Sequence, residues 1–215
     1  MTRLPAAQRK EQLLDTAVTL FAERGYAGAT TADLAKAAGV TEPIIYRHFT
    51  SKKDLFVAVV DRTSELTIAT WDRQLRSARD SAQRLRRLIA ANPMVTDRGK
   101  GIYRVIIQAM MELKEPEVLA AIHRHVAKLH QFVSDEVERA QQEGIVSRYY
   151  SPQITAWTLL NLGLGFGIME ALGIPGHGVD DRGVHVRDLI SRMMLGDKQG
   201  SHGDDARAQP GMHDD

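Results

Sequence analysis

TTADLAKAAGVTEPIIYRHFTSKKDLF, residues 30–56, reads as two short helices around a tight turn, followed by the start of a third helix. Ala32, Leu34, Ala35 and Ala38 recur at helical spacing. Thr30 or Thr31 can accept a hydrogen bond from the free N–H groups of that first turn. Gly39 follows the last periodic residue, where a left-handed cap costs glycine least. Thr41 then serves as the N-cap of a new helix over 42–48. Glu42 and Pro43 suit its first turn, where a negative charge and a missing N–H are both tolerated. Helix, glycine-containing turn and helix make up the helix-turn-helix pattern, whose second helix enters the DNA major groove.

Outward from this stretch the chain stays helical. On the N-terminal side, 8–24 carries Leu13, Leu14, Ala17, Leu20 and Phe21 at a 3.6-residue period, and Gly25 ends it. These helices can close a small core from Leu13, Ala17, Phe21, Leu34, Val40, Ile45 and Phe49. On the C-terminal side, Ser51 caps a long helix running to Trp71, with Asp54 as an acidic capping-box partner. A further helix starts around Ser81, and 93–101 is a loop. Helices follow over 102–113, 117–143 and 152–172, a turn over 173–178, and a last helix over 180–195. Residues 1–6 read as a loose arm and 197–215 as a disordered polar tail. The expected class is all-α. A three-helix unit, 1–50, precedes a larger helical domain, 51–196, in which 51–71 is the linking helix.

Composition narrows the function. The 215 residues are 43% hydrophobic and 26% charged, ordinary for a globular chain. With no cysteine, thiolate metal sites and cysteine nucleophiles are excluded. No signal peptide opens the chain, and the longest apolar run, 157–172, holds Asn161 and Glu170 and is short for a bilayer. A cytoplasmic protein without membrane association is expected. Net charge is +1, but it is unevenly spread. Residues 1–55 hold eight Lys/Arg against six Asp/Glu, and 73–104 hold nine Arg/Lys against two Asp. The basic stretch reads as a solvated helical face, or else as a site for an anionic effector.

His123, His125 and His130 lack a completing carboxylate or cysteine, so they read as solvated or internally satisfied and no metal or cofactor is expected. The run LGLGFG at 162–167 lacks the preceding strand that a nucleotide loop needs. No acid–base or nucleophilic set falls in a defensible order, so no enzyme activity is expected. The helix at 152–172 is apolar on nearly all sides, which requires burial on both. Together with 185–195 it is expected to pair with its copy in a second subunit, through Ile154, Leu160, Gly163, Gly167, Leu189 and Met193. A cavity between the C-terminal helices is expected to draw on Trp71, Tyr103, Ile106, Met110, Phe132, Trp157 and Met169.

The pieces FAERGY at 21–26, Thr30 and Thr31, LAKAAGVT at 34–41, YRHF at 46–49 and SKKDL at 51–55 resemble, in order, the DNA-binding domain of the Tet repressor (TetR) family of bacterial regulators. The resemblance covers under a quarter of the chain. It implies DNA contacts from the start of the second helix, the recognition helix and the start of the fourth. Thr30 or Thr31 supplies a hydroxyl to phosphate, and Thr41 reaches phosphate or a base edge. Tyr46 and His48 donate to phosphates, and the helix start at 51–53 adds a positive end with the charge of Lys53. Lys52 reads as solvated. Arg47 has the fork suited to guanine and equally suits phosphate. Glu42, Pro43 and Ile44 give few long donors, so cytosine, thymine methyl groups or groove shape are read instead. The implied protein is a ligand-responsive homodimeric regulator, a repressor that binds a palindromic double-stranded operator and is released by a small-molecule effector. The alternative is a helical small-molecule-binding or scaffold protein with little DNA affinity.

Overall fold

The computed structural model describes residues 4–91, 93, 103, 105–107, 110 and 115–196. The expected arm at 1–6 (in its first three residues), most of the loop at 93–101, much of the helix at 102–113 and the tail at 197–215 lie outside the described residues. The rest is all-α. No strand occurs among the described residues, and Val179 and His185 form one isolated antiparallel bridge. In order the helices are α1 (Ala6–Gly28), α2 (Thr31–Ala38), α3 (Glu42–Tyr46), α4 (Lys52–Leu75), α5 (Ser81–Ala90), α6 (Pro116–Gln142), α7 (Pro152–Ala171) and α8 (Val186–Leu195). Tyr103, Met110 and residues 105–107 are helical between α5 and α6.

Local chemistry sets the ends of these helices. Gly25 breaks α1 with φ 74° and ψ 165°, so the chain turns there although helical turns resume after it. Gly39 takes the left-handed conformation (φ 65°, ψ 36°) and closes α2. Thr30 forms a reciprocal capping box with Asp33. Asp54 differs from expectation. Its backbone N–H donates to Ser51 Oγ at 3.0 Å, but its carboxylate accepts from the Thr50 N–H at 2.8 Å, one residue earlier than a capping box requires. The last helix also begins later than expected. Asp180 accepts from the N–H groups of Arg182 and Val184, which folds 180–185 into a turn before α8.

The first core joins α1, α2, α3 and the first half of α4. Leu13, Ala17, Phe21, Leu34, Ile45, Phe49 and Phe56 are buried, and Val40 packs against them half-exposed. Phe21 meets Phe56 edge-on at 5.1 Å, and Tyr26 lies 4.6 Å from Phe56. This cluster continues without a break into Tyr103, Ile106, Val118, Ala121 and Ile122. Each such aliphatic or aromatic side chain stabilises the fold by about 1.5–3 kcal/mol when fully buried. A second core gathers Trp71, Leu75, Leu85, Leu88, Leu129, Val133 and Val137 where α4, α5 and α6 meet.

α4 and α6 therefore both contribute to each core, and polar links hold α4 on two sides. Arg62 pairs with Asp15 of α1 at 2.8 Å, and Arg124 of α6 pairs with Asp61 at 2.8 Å. Lower down, Trp71 Nε1 donates to Ala91 O at 2.9 Å. Arg84 of α5 donates two 2.6 Å bonds to the carboxylate of the buried Glu136 on α6. Arg87 donates to Gln74 O and Ser77 Oγ, and Arg76 pairs with Asp72. Part of the basic stretch thus holds helices together, where the sequence suggested a solvated face.

Candidate functional site: a helix-turn-helix face and a cavity behind it

α3 is shorter than the periodicity suggested. It ends at Tyr46, with Arg47 as its C-cap, and the N–H groups of His48 and Phe49 both bond Ile45 O. The buried Phe49 anchors the turn and Ser51 must start α4, which leaves no room for another helical turn. Thr41 stands at the N-cap position, but its side chain makes no capping bond. Thr41, Pro43, Tyr46 and Arg47 are exposed, while Glu42, Ile44 and His48 are half-buried. The expected contact residues of α3 therefore lie at or near the surface.

A small polar triangle orients α3 on α2. Thr31 Oγ1 donates to Glu42 Oε2 at 2.8 Å and lies 3.2 Å from the Tyr46 hydroxyl. One Glu42 oxygen is thus occupied in joining the two helices. The Thr30 hydroxyl is held by Asp33, donating at 2.7 Å and accepting from the Asp33 N–H. Arg24 pairs with the same carboxylate at 2.9 Å. The Thr30 side-chain and backbone bonds, partly countered by desolvation, keep the Asp33 carboxyl below its ordinary range.

The two lysines at the start of α4 behave differently from each other and from expectation. Lys52 is not left to solvent. Its ammonium donates to Tyr26 O at 2.9 Å and Ala29 O at 3.1 Å, and sits 4.6 Å from the Tyr26 ring centre. It satisfies the carbonyls at the end of α1, where a cation is favoured. Lys53 reaches away from α1 and pairs with Glu117 at 2.8 Å and Glu115 at 3.4 Å, at the start of α6. The Glu117 hydrogen bond raises the Lys53 pKa and lowers that of Glu117.

Behind this face lies a cavity of about 230 Å³ between α4, α5, α6, α7, α8 and the helical residues around Tyr103. Of the expected lining residues, Trp71, Tyr103, Ile106, Met110 and Trp157 line it. Phe132 and Met169 do not. Phe132 packs on the Trp71 ring at 5.6 Å in the second core, and Met169 is 42% exposed. The helical period put both on apolar stripes without showing which stripe faces the void. Leu88, Val126, Leu129, Phe166 and Ile190 complete much of the wall. His125, read from the sequence as a bland histidine, also lines it. His130 stacks on Trp157 at 4.2 Å and donates from Nε2 to Gln153 O at 3.0 Å. Among the described residues no three His, Cys, Asp or Glu side chains gather as a metal site.

The residues expected at a subunit interface divide. Ile154, Leu189 and Met193 are exposed, at 52%, 56% and 78%. Leu160 and Gly163 instead line the cavity, and Gly167 is buried within the chain. Leu162, Met169 and Leu172 carry the exposed apolar face of α7 onward from Ile154. LGLGFG at 162–167 lies inside α7 and forms no loop.

Residues 13–59 match the family described as bacterial regulatory proteins, tetR family. The HTH-type transcriptional activator FasR of Mycolicibacterium smegmatis is 35% identical over 120 residues, covering 56% of this chain and 54% of FasR. The chain thus spans about half the length of that relative. Two solved structures share the fold. A transcriptional regulator from Saccharomonospora viridis in complex with choline has a TM-score of 0.72 at 23% identity, covering 87% of this chain and 93% of that one. FadR from Bacillus subtilis in complex with stearoyl-CoA has a TM-score of 0.67 at 18% identity, covering 86% and 95%. The ordered 21–55 motif, folded as a helix-turn-helix at the head of an all-helical chain, thus lies within the segment that matches the tetR family of bacterial regulatory proteins.

Proposed function

We propose that this protein is a homodimeric, ligand-responsive DNA-binding transcriptional regulator that represses from a palindromic operator and is released by a small-molecule effector. The observation that carries the DNA-binding part is the exposed row Thr41, Tyr46 and Arg47 on a short helix fixed to α2 by the Thr31–Glu42–Tyr46 triangle. Phosphate contacts come from Thr31, Tyr46, His48 and Lys53, and base contacts from Arg47, with Thr41, Glu42, Pro43 and Ile44 beside it. Residues 1–50 serve DNA binding, and 51–196 serve effector binding and dimerisation. The apolar faces of α7 and α8 support a second copy as partner, since exposed apolar helix faces of this kind mark interfaces. Two copies set their α3 helices about 34–36 Å apart, or a multiple of that, in successive major grooves. Action on the chromosome places the protein in the cytoplasm, and no helix among the described residues is long and apolar enough to cross a membrane.

The neighbours in complex with choline and stearoyl-CoA support a cavity that takes an effector here as well. A gel-shift against the DNA upstream of its own gene tests the reading, with affinity expected to fall steeply as salt rises. Failure to bind any fragment of the host genome at low salt overturns it and favours a scaffold protein. FasR is named an activator. A promoter fusion in cells with and without the protein decides the sign, with repression expected.

A further inference from the structure

Most of the cavity wall is apolar, and of its polar residues Asn161 and Arg187 are exposed and His185 is half-buried. Tyr103 and His125 sit side by side in its wall, ring centres 5.9 Å apart, and both are buried, at 7% and 2% exposure. Each is tied to α4. His125 Nδ1 lies 2.7 Å from Ser64 Oγ, and the Tyr103 hydroxyl lies 3.4 Å from Thr67 Oγ1. Ser64 and Thr67 are themselves buried, one turn apart on the same helix. Ser64 Oγ has a second acceptor within reach, Val60 O at 3.3 Å. Nε2 of His125 has no bonding partner among the described residues, although the ring is almost wholly enclosed. Among the described lining residues Arg187 is the one Lys, Arg, Asp or Glu, and it is exposed.

Resting on the ligand-responsive reading above, we propose that the effector is a neutral, mostly apolar molecule carrying a carbonyl group, that Tyr103 and His125 bind that oxygen, and that Thr67 and Ser64 pass its presence to α4. An apolar wall favours an apolar body, and a few convergent polar groups orient it. Burial holds the Tyr103 phenol protonated, so it donates to a carbonyl. Burial also holds His125 neutral, with one ring nitrogen a donor and the other an acceptor. A ligand carbonyl selects the tautomer with the proton on Nε2. Nδ1 is then an acceptor, and the single Ser64 hydroxyl proton turns from Val60 O to the ring. The Tyr103 proton likewise goes to the ligand, which leaves its oxygen to accept from Thr67. Occupying the cavity therefore rewrites two hydrogen bonds on the helix whose N-terminus carries Lys53 and the edge of the DNA-binding face.

Three probes of one length test the proposal on the full-length protein: 2-undecanone, n-undecane and undecanoate, titrated by calorimetry. The ketone is expected to bind roughly tenfold tighter than the alkane, the size of one buried hydrogen bond, and tighter than the carboxylate. Tyr103→Phe, which keeps the ring, is expected to remove most of that advantage while leaving alkane affinity unchanged. Ser64→Ala is expected still to bind the ketone, yet its binding to upstream DNA falls less when ketone is added than that of the natural protein does. Equal affinity for ketone and alkane, tightest binding of undecanoate, no binding of any probe, or a ketone advantage that survives Tyr103→Phe overturns the proposal. DNA binding without any probe is read in the same experiment, so failure of the effector assignment is distinct from failure of the regulator reading.

Discussion

Lys53 is drawn on from two sides. The proposed function sets it against the DNA backbone at the start of α4, and in the structure it pairs with Glu117 and Glu115 at the start of α6. A lysine in contact with phosphate releases one counterion's worth of salt dependence. Lys53→Ala is therefore expected to weaken binding to upstream DNA and to lower the slope of log affinity against log salt by about one. Glu117→Gln, which removes the nearer of the two carboxylates that hold the ammonium, is expected to strengthen binding. Unchanged slopes in both variants, measured by fluorescence anisotropy across salt, would show that Lys53 does not touch DNA. His125 makes a different kind of prediction. Burial lowers its pKa from the ordinary 6.5 to about 4. The unfolded state then binds more protons between those values, so this contribution is complete above pH 6.5 and is lost as pH falls towards 4. Its full size is on the order of 3 kcal/mol. Urea midpoints of the natural protein should fall more steeply over that window than those of His125→Gln. Parallel pH profiles would contradict it.

At the scale of elements, several helix ends are legible in the sequence, and what each helix face opposes across the molecule is not. Gly39, the Thr30 box, Ser51 at α4 and Ser151–Pro152 at α7 act through bonds within one turn, so residue order alone reveals them. α3 was read two residues too long because Arg47 and His48 have no local breaker. The stop comes from Phe49 reaching the core formed by α1, α2 and α4. Arg84 and Glu136 show the limit most clearly. They are 52 positions apart, and nothing near either residue announces the pair. Because Glu136 is 5% exposed, breaking the pair leaves the Glu136 carboxylate or the Arg84 guanidinium without its partner. Arg84→Met is expected to destabilise by roughly 3 kcal/mol, read from urea unfolding with an unchanged slope. The double variant Arg84→Met/Glu136→Leu is expected to recover much of that loss, and a double variant no more stable than the single one would show that the pair has no such penalty.

On the scale of the whole molecule, the question is what covers α7 and α8. Ile154, Leu172, Leu189 and Met193 expose apolar surface, Leu160 and Gly163 line the cavity, and Leu162 does both. One helix thus divides its sides between a void and a face open to a partner. This is why its sequence shows apolar residues all round and why periodicity could not separate the two roles. Leu189→Asp with Met193→Asp is expected to shift the protein to a monomer by sedimentation. The same variant is expected to lose operator affinity, since two half-sites held together bind far more tightly than one. A variant that stays dimeric would place the interface elsewhere.

What the sequence determined by itself is the class and order of the helices, the caps at Thr30, Gly39, Ser51 and Ser151, and the helix-turn-helix. Each of these rests on interactions within a turn or on a motif in fixed order. The tertiary structure alone decided which residues meet: Lys53 with Glu117 across 64 positions, Ser64 with His125 across 61, and the cavity wall that takes in His125 but not Phe132 or Met169. The physical reason is that helical periodicity tells which residues share a face, while the rotation and crossing of packed helices set what that face opposes.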